Sequence, residues 1–280
     1  MHNPPPSPSI DDLSNRWLVH PAARRLVPLA IRRGVSANTV SIAGLACGFL
    51  AALAYSRWWD GAWAVAGFLL MIGWHICDGM DGMIARATKS ASEAGRLLDG
   101  LCDYTTFILV YMVLAATLPW DEPIETYWAA MAAGAVHAIQ SALYEGARER
   151  HFRRLRGEQA QPWQASRFGG ALERLYVGVN QWAGAPTRVV DEVLAAPGLN
   201  AALRDRYVQA AVPWLRFMTL LSANGRTLAI FLACLAGSPA YFWWWEVAVL
   251  TPITAIGLIG LRRTDSRLVQ KFAPQASAAG

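Results

Sequence analysis

The sequence predicts an all-α, polytopic membrane protein with six transmembrane helices and an amphipathic surface helix near its N-terminal end. Three observations predict it. The chain is 54% hydrophobic and 16% charged, where an ordinary soluble domain is nearer a quarter charged. Its apolar residues gather into runs close to the roughly 20 residues that cross a bilayer, at 38–56, 62–86, 95–118, 126–144, 217–236 and 241–261. The basic residues collect in alternate connectors between those runs.

Residues 1–34 form the first region. Its Pro-rich start, residues 2–10, lacks the charged-then-apolar order of a signal peptide and reads as disordered. Residues 14–34 then mix apolar and basic side chains at helical spacing, with Pro21 placed to open a second helix. An amphipathic helix on the cytoplasmic face is expected there, an ordinary loop being the alternative. Residues 35–265 form the six-helix membrane domain. Within it, a cytoplasmic insert at about 146–213 is long enough for two or three short surface helices. Residues 266–280 are a tail, read as disordered after Phe272. The run Phe242, Trp243, Trp244, Trp245 has the composition of an aromatic belt at the outer interface, with Glu246 beside it.

Orientation follows from the connectors. Arg16, Arg24, Arg25, Arg32 and Arg33 precede the first run, and Lys89 and Arg96 lie between the second and third. Arg148, Arg150, Arg153, Arg154 and Arg156 follow the fourth, and Arg262, Arg263, Arg267 and Lys271 follow the sixth. The opposite connectors carry Arg57, then Asp121 and Glu122, then Ser238 and Pro239. The positive-inside rule puts both termini in the cytoplasm. The net charge of +5 therefore reads as membrane orientation, and no nucleic-acid partner is expected. Cys47, Cys77, Cys102 and Cys234 lie in apolar stretches without a CxxC pair and read as buried thiols, suggesting neither a disulfide framework nor a zinc site.

The chemistry is concentrated in the second and third runs. Asp78, Asp81, Gly82, Ala85 and Arg86 sit at i, i+3, i+4, i+7 and i+8, one face of one helix. Gly95, Asp99 and Asp103 sit at successive i+4 steps on the next. Each intramembrane Asp costs about 2.5–3.5 kcal/mol on insertion scales, and Arg86 supplies one positive charge against four carboxylates. A structural ion-pair cluster balances poorly on that count. Carboxylate oxygens without His or Cys favour hard cations such as Mg2+ or Mn2+, and two such ions suit a diphosphate.

The pattern Asp78, Asp81-Gly82, Ala85-Arg86, Gly95, Asp99, Asp103 resembles, at every fixed position, the signature of the CDP-alcohol phosphotransferase family (CDP-alcohol phosphatidyltransferases). The motif covers about a tenth of the chain, and the family's six-helix layout resembles the span count above. The resemblance implies transfer of a phospho-alcohol group from a CDP-linked donor to a hydroxyl acceptor, lipid or small alcohol, with release of CMP. It implies that Asp78, Asp81, Asp99 and Asp103 ligate metal and that Asp103 also acts as general base. Gly82 and Ala85 would admit the cytidine and ribose, Arg86 would touch the diphosphate, and Gly95 would complete the donor site. A weaker match lies at residues 35–41, where the family often has Pro-Asn and this chain has Ala37-Asn38. Asn38 there is expected either to face the donor's phosphates or simply to cap its helix.

His75, one turn before Asp78, and Arg226, inside the fifth run, are candidates for the acceptor site; for His75 the alternative is a satisfied core histidine. His137, Gln140 and Asn224 are further candidates. Gly44 and Gly48 form a GxxxG, either a homodimer seam or close packing within the monomer. Two other functions compete. A cation or proton transporter would spread its carboxylates over several broken helices. An intramembrane prenyltransferase would separate its two aspartate motifs along the chain. Within the resembling family, the basic opening and the large insert lean toward a CDP-linked headgroup donor and a lipid acceptor. The Arg-rich residues 145–157 read as contacts to anionic lipid headgroups, with a phosphorylated acceptor as the alternative.

Overall fold

The computed structural model describes residues 10, 12–119, 121–158, 171–184, 190–191, 194 and 201–276. The expectations for residues 1–9, for 159–170 and most of 185–200 in the insert, and for 277–280 lie outside the described residues. What is described is helical, with no strand among the described residues. The chain divides into two compact units, Asp12–Ala135 with Ala223–Val247, and Met1–Asp11 with Val136–Ser222 and Ala248–Gly280.

The first unit begins with a π turn, Asn15–Val19, that runs directly into α1 (His20–Arg32). Pro21 stands at the start of α1, directly after the π turn. The expected pair of helices is thus one helix carrying a π turn, a common accommodation of local strain. Ala23, Val27 and Ala30 of α1 pack against Val40, Met80 and Ile84, while Leu26, Leu29 and Ile31 face outward. Gly34, at φ +69°, closes α1: the N–H of Val35 returns to the Ala30 carbonyl at 3.0 Å.

Helices α2 (Ala37–Tyr55), α3 (Gly61–Ala87) and α4 (Glu93–Ala116) form the centre of this unit, with α2 packed along both others. The small residues of α2 make that approach. A Cβ on Gly44 would sit 3.1 Å from Cys77 Cβ, and one on Gly48 would overlap Thr106. The GxxxG is therefore used inside the monomer. Behind it lies a core of Tyr55, Trp74, Phe107, Leu114, Ile230 and Trp243. The last two come from α8 (Ala223–Leu235) and α9 (Ala240–Trp245). The aromatic run splits by helix geometry: Phe242 and Trp243 are core, and Tyr241 and Trp244 face outward. As a belt it holds only in part.

The second unit contains the later part of α5 (Ile124–Arg156), α6 (Ala171–Gly184), α7 (Ala201–Phe217) and α10 (Thr251–Ala276). Gly257 and Gly260 of α10 are so close to Met218 and Trp214 that a Cβ on either would overlap them. Helix α10 continues to Ala276, past the point after Phe272 where the sequence predicts a disordered tail.

The molecule is an integral membrane protein, and four to five of the expected six spans meet the length and hydropathy of a crossing among the described residues. Four stretches among the described residues are long and apolar enough to cross a bilayer: Ala37–Tyr55, Gly61–Ala87, Ala94–Ala116 and Ala240–Leu268. A fifth is reached if Asp205–Leu221 and Ala223–Leu235 count as one broken span. The reason is chemical and geometric. Residues 126–144 of α5 are rich in Ala and interrupted by His137 and Gln140, so they are helical without being strongly apolar. The fifth run is broken near Ser222, which leaves α8 with 13 residues, about 20 Å at 1.5 Å per residue.

Candidate active site

The site is assembled by the reversal between α3 and α4. Thr88 ends α3, Lys89 takes the left-handed conformation at φ 54°, and the N–H of Ser90 returns to the Ala85 carbonyl at 3.0 Å. Ser92 then opens α4 by accepting a hydrogen bond from Gly95 N–H at 3.0 Å. This tight turn sets the carboxylate faces of the two helices against each other.

Asp78, Asp99 and Asp103 each present a carboxylate oxygen within 4.8 Å of the other two. Asp81 lies beside them, buried at 5% exposure. Its Oδ2 accepts a 2.6 Å hydrogen bond from the Ser41 hydroxyl, and its carboxyl is within hydrogen-bonding reach of Asp99. The four aspartates expected to share a pocket are thus contiguous. Ser41 was not singled out in the sequence; its signal is the i, i+3 spacing from Asn38 on the first turns of α2.

The remaining donor-site residues surround this cluster. The Arg86 guanidinium bends back over Gly82, where an added Cβ would lie 3.2 Å from Nη1. An added Cβ on Gly95 would lie 3.5 Å from Asn38 Oδ1, so the start of α2 meets the start of α4. Asn38 is not the cap of α2. That place is taken by Ser36, whose hydroxyl accepts from Thr39 N–H at 3.2 Å, and the Asn38 side chain is left on the α4 side.

The two acceptor candidates have partners within the unit. His75 is buried, its Nε2 2.9 Å from Thr227 Oγ1 and its ring against Trp74. Arg226 is fully buried, and its Nε donates to both carboxylate oxygens of Glu246, at 2.9 and 3.2 Å. Tyr111 donates to the same carboxylate at 3.4 Å. Glu246, which sequence places beside an aromatic belt, is thus the counter-ion of Arg226.

The donor set fits a hard divalent cation. All its ligand atoms are carboxylate oxygens, the donor type that hard cations prefer. The fold and site therefore define an integral membrane protein with a cluster of carboxylates, Asp78, Asp99 and Asp103, that could hold a metal ion. The chain belongs to the CDP-alcohol phosphatidyltransferase family, whose model matches residues 35–183, more than half of its length and all of the carboxylate centre. Comparison with curated proteins and with solved structures gave no match. Membership makes the chain a transferase of phospho-alcohol groups in lipid synthesis and sets aside prenyl transfer and ion transport.

Proposed function

We propose that the chain moves a phospho-alcohol group from a CDP-linked donor to a hydroxyl acceptor, with release of CMP, at the carboxylate cluster of α3 and α4. The observation that carries this is the convergence of Asp78, Asp99 and Asp103 within 4.8 Å, with Asp81 beside Asp99. These four residues would hold Mg2+ or Mn2+, two ions by the number of carboxylates. Bound there, the metal neutralises diphosphate charge and makes phosphorus more open to attack.

The chain's own residues do the rest. Gly82 and Ala85 leave room for the cytidine and ribose, and the Arg86 fork offers N–H donors to diphosphate oxygens. Asn38 and the N-terminal turn of α2 present further donors to the same phosphates. Asp103 takes the acceptor's proton as its oxygen bonds to the β-phosphorus. The bond from that phosphorus to the bridging oxygen breaks, and the electron pair leaves with CMP. His75 and Arg226 are not carried into the acceptor site, because Thr227 and Glu246 already account for them. In the membrane, α5 and α8 complete a six-helix layout, α1 lies on the surface with Leu26 and Leu29 toward lipid, and the basic connectors and the site face the cytoplasm. The donor branch favoured is a CDP-linked headgroup with a lipid alcohol.

The test is CMP release by the protein in lipid nanodiscs. CDP-diacylglycerol, CDP-choline, CDP-ethanolamine and CDP-inositol are offered separately with mixed acceptors, with and without Mg2+. Metal-dependent CMP from one donor, lost in Asp103→Asn, supports the assignment and names the branch. CMP release that survives Asp103→Asn removes this residue from the reaction.

A further inference from the structure

The Arg-rich end of α5, in the second unit, carries a feature that the transfer reaction does not use. Arg154 is buried and fully engaged. Its Nε donates to Asp191 at 2.5 Å, and its Nη1 meets Tyr207 and Asp265, the latter at 3.2 Å. Arg153 shares Asp191 at 2.8 Å. One turn earlier, Arg150 is equally buried, at 8% exposure, yet its Nη1 has no hydrogen-bond partner among the described residues. No carboxylate reaches it at ion-pair distance there; Glu149, Asp191 and Asp265 act on it only at longer range. The next residue, His151, is buried too, and its Nε2 also lacks a partner.

Both side chains line one cavity of about 30 Å³ together with Arg154, Tyr207, Asp265 and Arg262, with Leu215, Leu258 and Leu261 as an apolar wall; the Asp265 carboxylate there is already held by Arg154 and Tyr207. That volume holds a water or two, or the oxygens of one small oxyanion. Burial, with Arg154 nearby, lowers the Arg150 pKa only to about 10, so the group is cationic at neutral pH. Burial, with Arg154 nearby, pushes His151 down to about 4, so its ring is a neutral donor or acceptor. An unpaired buried cation is a costly state, and a buried anion in contact with it relieves that cost. A guanidinium fork matches the tetrahedral oxygens of phosphate.

We propose that this cavity is a phosphate-binding site in which Arg150 is the principal ligand, with Arg262 and the His151 ring beside it. The phosphate is either the headgroup of an anionic lipid or free orthophosphate.

Thermal unfolding of the full chain distinguishes the sources. In phospholipid-free detergent with EDTA, orthophosphate is titrated against sodium chloride of matched ionic strength. In nanodiscs without added phosphate, phosphatidylcholine alone is compared with phosphatidylcholine containing phosphatidic acid. Stabilisation in the first arm identifies the free anion, and stabilisation in the second alone identifies the lipid headgroup. In either case Arg150→Gln weakens the response at least tenfold, and Asp103→Asn leaves it unchanged. Without ligand, Arg150→Gln is no less stable than the wild type. If Arg150→Gln does not fold, Arg262→Gln, at an exposed position, carries the same comparison. No response to either ligand, or an equal response in the folded variant, overturns the proposal.

Discussion

Two sets of charge in the first unit contrast in one respect. On α3 and α4, four carboxyls converge with one guanidinium near them, at Arg86. Between α8 and the residue after α9, one guanidinium meets one carboxylate, Arg226 with Glu246, and both are wholly buried. The balanced pair is complete within the protein. The carboxyl-rich cluster is the set to which the proposed function assigns a metal ion. The proposal thus gives the two sets different work, one in holding the fold and one in chemistry, although both are ionisable groups in apolar helices.

The largest effect expected from this contrast lies in the cluster. Asp103→Asn should lower the transfer rate by about 10²–10⁴-fold, the usual contribution of a general base. It should leave the folded state as stable as before or more so, because it removes one of several like charges. CMP release and thermal unfolding on the same preparations check both halves; a large loss of stability would move Asp103 into the architectural set.

The reverse is expected at the balanced pair. Arg226→Met leaves Glu246 buried without its counter-ion, which should destabilise by about 3–5 kcal/mol. The double variant Arg226→Met with Glu246→Leu should recover most of that. Denaturant unfolding of the two single variants and the double measures it. If the double variant is as stable as the wild type yet inactive, the pair has a functional role that its geometry does not suggest.

A third expectation concerns the added component. Mg2+ at about 100 times its dissociation constant should stabilise the wild type by about 2.7 kcal/mol through linkage, and Asp99→Asn should lose most of this. Arg226→Met should retain it in full. Thermal scans with EDTA and with Mg2+ decide the matter, and equal stabilisation in Asp99→Asn would detach the metal from the cluster.

Much of this was legible in the sequence, for reasons that differ by residue. Asp78, Asp81, Asp99 and Asp103 could be brought together from spacing alone, because i+3 and i+4 steps define a helix face and a short connector forces the two faces to meet. Helix existence was legible from apolar runs, but span number was not. The runs near α5 and α8 are apolar only on average, and the turn-type residues at the break, Ser222, Asn224 and Gly225, lie inside an apolar run that reads as continuous. Partners distant in the chain were also hidden. Glu246 for Arg226, Thr227 for His75 and Ser41 for Asp81 are tertiary pairings that no local pattern encodes. For Asn38 the sequence leaves two readings open, a cap or a phosphate-facing side chain, and Ser36, two residues earlier, takes the cap.

The smallest effect is at the turn that builds the site. Of the four helix ends closed by a left-handed residue among the described residues, three use Gly34, Gly157 and Gly237, and the fourth uses Lys89. A non-glycine residue in that conformation costs about 1–2 kcal/mol, and Lys89 is exposed, so no packing offsets it. Lys89→Gly should therefore stabilise the protein slightly, by about 0.5–1 kcal/mol once the greater freedom of glycine in the unfolded chain is counted. The informative half is activity. If Lys89→Gly gains stability and loses donor affinity, the strain is kept for a cationic side chain three residues beyond Arg86, and Lys89 joins the cluster as a compensating charge. If activity is unchanged, the lysine is there for membrane orientation, and the charge balance of the site rests on Arg86 and the metal.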